Sequence, residues 1–331
     1  MILHQQFWRD CHTTIKERII KSLWISRKPS TIEKYCSTLR KFLVFCQEKD
    51  IPVFIPFDSL VIAQYLEETK ISCRGKSAVS NALLSIKWLH SFMPGLNHAN
   101  DPANDQFLSR IVESTNRNVV KMKQRKKPLS LDMIKGILSH LSSNPSLTEL
   151  RDCLIPVLSY SLLLRHDEIS HINCNHINSV ASGLKILIPS SKTDTYREGK
   201  YVYLSKNNNS VYNLFFNYLS KSNLNLGINH FLFGPISFSR VTKQNEIENR
   251  KLSYDSFNKI FKNAVTMLGL NPEEFGTHSA RSGGATSLAP FVSQYDLMMN
   301  GRWSDPRSIG SYVETPSSIR FQTNEILDIN L

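Results

Sequence analysis

The segment from Phe275 to Tyr312 constrains the fold more than any other part of the chain. Within it, His278 and Arg281 are three residues apart, a spacing that places both side chains on one face of a helix, one turn from each other. The pair Gly283-Gly284 follows, and two adjacent residues without a Cβ let a neighbouring backbone pack closely. The sequence therefore predicts a tightly packed helix that presents an imidazole and a cation to one ligand.

The end of the same segment predicts a second helix, which carries a tyrosine. Ser304-Asp305-Pro306 is typical of a helix start, with a capping hydroxyl, an acidic residue in the first turn and a proline where no amide is needed. Tyr312 then lies about two turns into this helix, before Pro316 ends it. With Trp303 just ahead of the helix, an imidazole, a guanidinium, an indole and a phenol are expected around one place.

Composition limits the possible classes of protein. The chain has 331 residues, enough for two domains, and 41% are hydrophobic, which predicts packed cores rather than disorder. None of the six cysteines forms a Cys-x-x-Cys pair, and no His/Cys cluster has zinc-binding spacing. We expect buried free thiols in a reducing compartment, with disulfides as the alternative. The first residues lack a signal-peptide pattern and no apolar run approaches a membrane span, so we expect a soluble intracellular protein.

The positive charge is concentrated in the first part of the chain. The formal net charge is +12; residues 1–127 contain 21 Lys and Arg against 11 Asp and Glu, and residues 128–331 contain 19 against 17. Such a surface favours a polyanion, through phosphate contacts and counterion release. Simple solubility is the alternative. A membrane surface is disfavoured because no amphipathic helix places aromatic residues opposite lysines.

The first part of the chain is predicted to form an all-helical domain over residues 10–118. Apolar residues recur at helical spacing in residues 1–25, and Ser30 or Thr31, with Glu33 at the capping-box position, starts a long second helix. Further helix starts are predicted at Asp58, Gly75 and Pro102.

A basic run follows this helical domain and ends at Pro128. Five of the seven residues from 121 to 127 are cationic, which predicts an exposed linker. A solvated connector, a nuclear-import signal and a DNA contact all fit this run. The candidate DNA-binding residues are Lys121, Lys123, Arg125, Lys126 and Lys127.

The middle of the chain predicts a buried helix that ends in an arginine. Leu150 to Leu164 is apolar enough for a buried helix, and Arg165 follows directly. Arginine is rarely buried without a partner, and Glu168, three residues later, can brace it through a bidentate pair. An internal ion pair without a role in function is the alternative.

A hairpin is predicted next. Leu184 to Ile188 and Tyr201 to Leu204 favour two strands with a polar loop between them, and Lys192 lies in that loop. A single loop lysine is usually solvated surface. Beyond the hairpin, residues 210–219 and 254–268 are expected to form amphipathic helices.

His278-Ser-Ala-Arg281, Gly301-Arg302-Trp303 and a tyrosine nine residues after the tryptophan occur in this order, with Arg165 and Glu168 upstream. The chain thereby resembles the tyrosine recombinases, or phage-integrase family, and most closely the Cre-like subset. The resemblance covers residues 129–331 and carries no specific motif in the helical first half.

The resemblance implies an α+β fold: mainly α-helical, with a small antiparallel β-sheet or hairpin. It also implies a helical N-terminal core-binding domain over 1–118, a basic linker over 119–128 and a catalytic domain over 129–331 that includes a C-terminal tail. One departure is His166, which occupies a position where relatives usually have an apolar residue.

The resemblance further implies a six-residue set for attack on a DNA phosphodiester: Arg165, Lys192, His278, Arg281, Trp303 and Tyr312. In that scheme Arg165 and Arg281 neutralise the two non-bridging oxygens, Tyr312 is the nucleophile, and Lys192 protonates the leaving 5′ oxygen. Lys200, in the same loop, is the second candidate for that proton donor.

The other two members of the set have narrower roles. His278 either hydrogen-bonds the phosphate or takes the proton of the tyrosine. Trp303 replaces a histidine of many relatives; its indole N–H can donate a hydrogen bond but cannot act as a base. No metal cage is present in the sequence, so neither Mg²⁺ nor ATP is implied, and no cofactor is expected.

The resulting prediction is a site-specific DNA recombinase, or the integrase of a mobile element, that works through a 3′-phosphotyrosyl intermediate. A topoisomerase-like DNA-relaxing enzyme and a catalytically inactive, domesticated DNA-binding protein are the alternatives. The expected partner is double-stranded DNA, bound by a homotetramer on two DNA sites that is joined through the apolar tail, residues 319–331. We expect no membrane association. The protein would lie wherever its DNA is: the nucleus for a eukaryotic or viral host, the cytoplasm or nucleoid in bacteria.

Overall fold

The computed structural model of the chain describes residues 13–72, 76–93, 95–118, 125–189 and 199–313. The chain divides into two compact units, residues 1–123 and 124–331. Several predicted features lie outside the described residues, namely the first half of the initial helix, Lys121, Lys123, Lys192 and the tail. The assignment of an N-terminal core-binding domain, a linker and a catalytic domain stays a prediction.

The described part of the first unit is helical. Its α-helices are α1 (Thr13–Ile25), α2 (Pro29–Glu48), α3 (Ser59–Ser72), α4 (Lys76–His90) and α5 (Gln106–Asn118). The fully buried side chains of Phe42, Ile62, Leu66, Ile86 and Leu108 form the centre of their core. The predicted capping of α2 by Ser30 or Thr31 is wrong: the helix begins at Pro29, because proline suits the first helical position, and Lys28 is the N-cap.

The second unit combines helices with two small sheets. Its α-helices are α6 (Leu131–Ser139), α7 (Leu147–Ser161), α8 (His166–Ser170), α9 (Asn209–Ser222), α10 (Tyr254–Met267), α11 (Ser279–Leu288) and α12 (Gln294–Gly301). Its strands are β1 (Ile177–Val180), β2 (Gly183–Ile188), β3 (Lys200–Ser205), β4 (Ile236–Ser239) and β5 (Gln244–Ile247). All pairings are antiparallel, in the orders β1-β2-β3 and β4-β5. The predicted fold class, mainly α with a small antiparallel sheet, is confirmed.

Helix α7 forms the centre of the second unit and ends where the site begins. A capping box between Ser146 and Glu149 starts the helix, and its interior is buried almost throughout. The helix ends at Ser161 rather than at the predicted Leu164, because Leu163 adopts a left-handed conformation with φ 51°. The chain turns there, and Arg165 becomes the N-cap residue of α8.

Through the glycine pair, helix α11 packs against α7 and against the segment that precedes α6. A Cβ on Gly283 would lie 1.8 Å from the carbonyl oxygen of Leu129, and one on Gly284 would lie 2.2 Å from that of Tyr160. The predicted close approach of a neighbouring backbone is therefore confirmed. This contact brings the first turn of α11 next to the end of α7.

Several expectations about the whole chain can be compared with its described part. No helix there is long and apolar enough to cross a bilayer. Among the same residues, no cluster of His, Cys, Asp and Glu could hold a metal ion. The four cysteines they include are free thiols, and Cys46, Cys153 and Cys174 are buried as predicted, while Cys36 is partly exposed.

Candidate active site

The site is organised around the carboxylate of Glu168, which is fully buried in α8. Arg165 donates to it twice: its Nη1 lies 2.6 Å from Oε1, and its backbone N–H lies 2.9 Å from Oε2. Arg302 donates from Nη2 to Oε2 at 2.7 Å, and Nη1 of Arg281 lies 3.8 Å from the same oxygen. Three guanidinium groups thus surround one carboxylate.

The environment of Glu168 keeps it ionised. Burial acts to raise its pKa, but the charge and hydrogen bond of Arg302, together with Arg165 and Arg281, hold the pKa below the ordinary value. One negative charge faces three positive charges, so the cluster has an uncompensated positive excess. A buried cluster of that kind favours an anionic ligand.

Arg281 lies deepest in the cluster and is fully buried. Its Nη1 donates to the carbonyl of Leu163 and its Nη2 to the carbonyl of Gly301. Its buried Nε has no hydrogen-bond partner among the residues that the structure describes. Burial, followed by the neighbouring Arg165, lowers its pKa from the ordinary range. Arg281 therefore combines a poorly compensated charge with an unused donor.

Two aromatic rings cover the guanidinium of Arg281. Its Cζ lies 4.4 Å from the ring centroid of Trp303 and 5.1 Å from that of Tyr312, both within cation–π range. The two rings pack on each other with centroids 5.2 Å apart. The predicted meeting of the indole, the phenol and the second arginine is therefore present in the structure.

The segment that carries Tyr312 differs from its prediction. Asp305, not Ser304, is the cap, and it starts a short 3₁₀ helix over Pro306–Ser311 instead of an α-helix. Tyr312 is the C-cap residue of that turn. Its carbonyl accepts hydrogen bonds from the hydroxyls of Ser282 and Thr286 on α11. These two side chains fix the tyrosine backbone beside Arg281.

His278 occupies the N-cap position of α11 and is exposed. Its ring centroid lies 6.3 Å from that of Tyr312. The sequence predicts both His278 and Arg281 within one helix. In the structure the helix begins at Ser279, so Arg281 lies inside it and His278 lies one residue before it. The imidazole and the phenol remain neighbours at the surface side of the buried arginine.

The candidate lysines are less closely tied to this cluster. Lys200 is the exposed first residue of β3 and pairs with Ile188 of β2; Lys192 is outside the described residues. In the basic run, Lys127 forms an ion pair with Glu274 at 2.9 Å, and Lys126 donates to the carbonyl of Glu273. Their assignment as DNA contacts, with that of Arg125, stays a prediction.

The departure noted at His166 has a packing explanation. Its ring makes edge contacts with Tyr254, at 5.1 Å between centroids, and with Phe257, at 4.7 Å. Burial lowers the pKa of this imidazole, which favours its neutral form. His166 therefore serves as an aromatic packing residue where an apolar one was expected.

Sequence reasoning missed one member of the cluster, Arg302. The residue was noted only as part of Gly301-Arg302-Trp303 and was given no role. Its side chain is 2% exposed and reaches Glu168, 134 positions earlier in the chain. An arginine between a glycine and a tryptophan is the only local signal in the sequence, and it does not identify the partner.

Comparisons with known proteins identify the fold. No protein-family model and no curated protein matches the sequence. Among solved structures, the site-specific recombinase XerH bound to a palindromic difH substrate is similar over 85% of this chain and 75% of its own, with a TM-score of 0.58 and 16% identity. The Tn1549 transposon integrase in complex with transposon right-end DNA matches over 91% of this chain and 95% of its own, with a TM-score of 0.58 and 14% identity.

The lambda integrase dimer bound to a COC′ core site is similar over 92% of this chain and 95% of its own, with a TM-score of 0.52 and 15% identity. These three structures share one architecture with the present chain. The chain has the tyrosine recombinase fold. Within that fold, the cluster described above occupies the second unit, and the predicted resemblance to the family is confirmed at the level of the fold.

Proposed function

We propose that this protein is a site-specific DNA recombinase or integrase that cleaves and rejoins duplex DNA through a 3′-phosphotyrosyl intermediate. One observation carries the proposal: Arg281 lies beneath the ring of Tyr312 while Glu168 links it to Arg165. A pure DNA-binding protein has no use for a phenol placed over a buried guanidinium.

The chemistry follows from the charges in the cluster. A phosphodiester resists nucleophiles because its own charge repels them, so attack needs the non-bridging oxygens neutralised. Arg165 and Arg281 supply forked donors, and the positive excess around Glu168 attracts the phosphate. Tyr312 Oη attacks phosphorus, the bond to the 5′ oxygen breaks, and the DNA 3′ end is held as a phosphotyrosine.

The two protons of this step need separate carriers. The phenol must lose a proton as it attacks, and we assign its acceptance to His278, the imidazole nearest its ring. The leaving 5′ oxygen must gain one, and we assign that to Lys192, with Lys200 as second candidate. The free 5′ hydroxyl then attacks the phosphotyrosine to rejoin a strand, which restores the enzyme without an energy source.

The proposal also covers the partner and the assembly. Double-stranded DNA is the substrate, and the chemistry is that of a strand transferase. Assembly into a tetramer on two duplexes through residues 319–331 belongs to the same proposal, and the mass of the DNA complex in solution tests it.

Trapping of the covalent intermediate tests the reaction. A duplex that the protein itself selects from a random library is prepared with a nick, so that cleavage releases a short strand and religation fails. We expect a protein–DNA adduct on a denaturing gel for the wild type and for Tyr295→Phe, which alters an exposed tyrosine of α12. No adduct is expected for Tyr312→Phe, since it lacks the nucleophile.

The arginines complete the same experiment. Arg165→Ala and Arg281→Ala should lose the adduct while duplex binding is mostly retained, because their contacts strengthen in the transition state. A wild type that binds the duplex but gives no more adduct than Tyr312→Phe would establish a non-cutting DNA-binding protein instead. Relaxation of supercoiled DNA by a monomer without sequence preference would favour the topoisomerase alternative.

A further inference from the structure

Arg302 occupies a backbone position that suits other residues better. It is the C-cap residue of α12 and has a left-handed conformation, with φ 55°. Glycine is the usual residue there and asparagine the next, because a Cβ disfavours this conformation. The backbone alone therefore gives no reason for an arginine, and the reason has to lie in the side chain.

The side chain of Arg302 joins three segments of the second unit. Its guanidinium donates to the carbonyls of Leu162 at 3.3 Å, Leu163 at 2.7 Å and Asn300 at 2.8 Å. It also donates to Oε2 of Glu168 at 2.7 Å. Leu162 and Leu163 lie at the end of α7, Asn300 lies at the end of α12, and Glu168 lies in α8. All four acceptors therefore meet at the guanidinium of Arg302, which is almost completely buried.

Two of these acceptors also lie within reach of Arg281. The carbonyl of Leu163 accepts from both Arg281 and Arg302, and Oε2 of Glu168 is 2.7 Å from Arg302 but 3.8 Å from Arg281. Arg302 thus holds the carboxylate on its own side. Without it, Glu168 would lose one partner and could form a direct pair with Arg281 by a movement of about 1 Å.

We infer that Arg302 is a positioning residue for phosphate binding: it occupies Glu168 and the Leu163 carbonyl, so that Arg281 keeps its charge for a phosphate. The same residue fixes the start of the segment that places Trp303 over Arg281. This inference depends on the proposed function for one point, that the anion is a phosphate of DNA. The competing explanation is that Arg302 only fills space at the end of α12.

The choice of substituent separates the two explanations. Arg302→Gly relaxes the left-handed backbone but removes every side-chain contact. Arg302→Lys keeps the charge, yet a single ammonium cannot replace a planar fork that reaches four acceptors. Lys243→Gly is the matched control, because Lys243 also has a left-handed backbone, with φ 58°, and is exposed in the turn between β4 and β5.

The rate of adduct formation on the nicked duplex is the first measurement. We expect Arg302→Gly and Arg302→Lys to slow it by about 10- to 100-fold, by analogy with the range found for residues that orient metal ligands. The Kd for the duplex should stay within about threefold, since most phosphate contacts lie elsewhere. Lys243→Gly should match the wild type. A wild-type rate in Arg302→Gly, or full activity in Arg302→Lys, would overturn the inference.

The thermal unfolding midpoint with added inorganic phosphate is the second measurement, and it does not depend on cleavage. We expect phosphate to raise the midpoint of the wild type and of Lys243→Gly, and to raise that of Arg302→Lys markedly less. An equal rise in all three, or none in the wild type, would overturn the inference even if the protein cleaves DNA. A wild type that gives this pattern but no adduct would support Arg302 and refute the proposed reaction.

Folding of the variants is checked by circular dichroism. If Arg302→Gly fails to fold, Arg302→Asn takes its place, because asparagine also tolerates the left-handed conformation without reaching Glu168. Either variant is compared with Lys243→Gly. This comparison separates the effect of replacing a side chain at a left-handed position from the effect of losing the guanidinium of Arg302.

Discussion

At the scale of single residues, the cluster depends on one ionised and fully buried carboxylate, that of Glu168. Glu168 is the counter-charge that three arginines share, and each of them would be a more costly buried cation without it. Its lowered pKa is therefore a statement about stability. The folded protein binds this proton less readily than the unfolded chain, so the stabilisation is complete above the ordinary value of 4.5 and is lost as the pH falls through the folded value below it.

Substitution of this carboxylate gives the first prediction. Glu168→Gln keeps the shape but removes the charge, and we expect a loss of about 3–5 kcal/mol in the free energy of unfolding at pH 7, as for other broken buried pairs. As the pH falls below 4.5, the ordinary value for this carboxyl, the wild type should lose stability more steeply than the variant. Urea unfolding at a series of pH values measures both. Glu246→Gln, at an exposed position, is the control and should change stability by less than about 0.5 kcal/mol.

The same cluster marks the limit of what the sequence predicts at this scale. The pairing of Arg165 with Glu168 follows from a spacing of three residues. The contact between Arg302 and Glu168 spans 134 residues, and no local pattern encodes it. The meeting of Trp303, Tyr312 and Arg281 is expected from their place within the segment from Phe275 to Tyr312, but no spacing along the chain predicts the distances between them.

At the scale of elements, the packing of α11 on α7 sets the position of Arg281. Gly283 and Gly284 of α11 lie where the backbones at Leu129 and at Tyr160 come closest to this helix. Any side chain there would push the start of α11, and with it Arg281, away from the carbonyl of Leu163. We therefore expect that any residue other than glycine at these two positions of α11 destabilises the protein.

A substitution on this face tests that expectation. Gly284→Ala places a methyl group 2.2 Å from the Tyr160 carbonyl oxygen, and we expect a loss of about 1–3 kcal/mol or more, as for other overpacked sites. Thermal unfolding should show a clear fall in the midpoint. Gly310→Ala is the matched control, since no atom lies within 4 Å of its Cβ position, and its midpoint should stay near that of the wild type. Equal midpoints for the two variants would contradict the close packing.

The elements also differ in how well the sequence predicts them. Long helices with an apolar face were identified within a few residues, as for α10 at Tyr254–Met267, and the apolar strands of the β2–β3 hairpin were found. Strands β1, β4 and β5 were missed, because four-residue strands with polar side chains have no distinct pattern. The segment after Asp305 was predicted as an α-helix on its start signals alone, but it ends after six residues as a 3₁₀ helix.

At the scale of the whole molecule, the distribution of charge complements the buried cluster. Under the proposed function the cluster binds one phosphate, whereas the basic excess of residues 1–127 is suited to many phosphate contacts. Phosphate contacts of that kind position a duplex and make its affinity depend on salt, but they do not catalyse. Binding and cleavage should therefore respond to different substitutions.

The basic run before Leu129 provides the sharpest test of this division. Arg125, Lys126 and Lys127 are exposed in the described part of the run. Each phosphate contact contributes about 0.9 to the slope of log Kd against log salt. We expect Arg125→Ala, Lys126→Ala and Lys127→Ala, combined in the full chain, to reduce that slope by about 2 to 3, measured with a selected duplex between 50 and 200 mM salt.

The control for this prediction carries the same change in net charge at another place. Lys206, Lys221 and Lys243 are exposed lysines of the second unit that belong to no predicted DNA contact, and their combined alanine variant should keep the wild-type slope. An equal reduction in both triple variants would mean that total charge, rather than the basic run, governs binding. A lysine that binds a phosphate releases counterions when it does so. An unchanged slope in the first variant would therefore show that Lys126 and Lys127 do not contact DNA in the wild type. Their contacts with Glu273 and Glu274 would then serve only the folded protein.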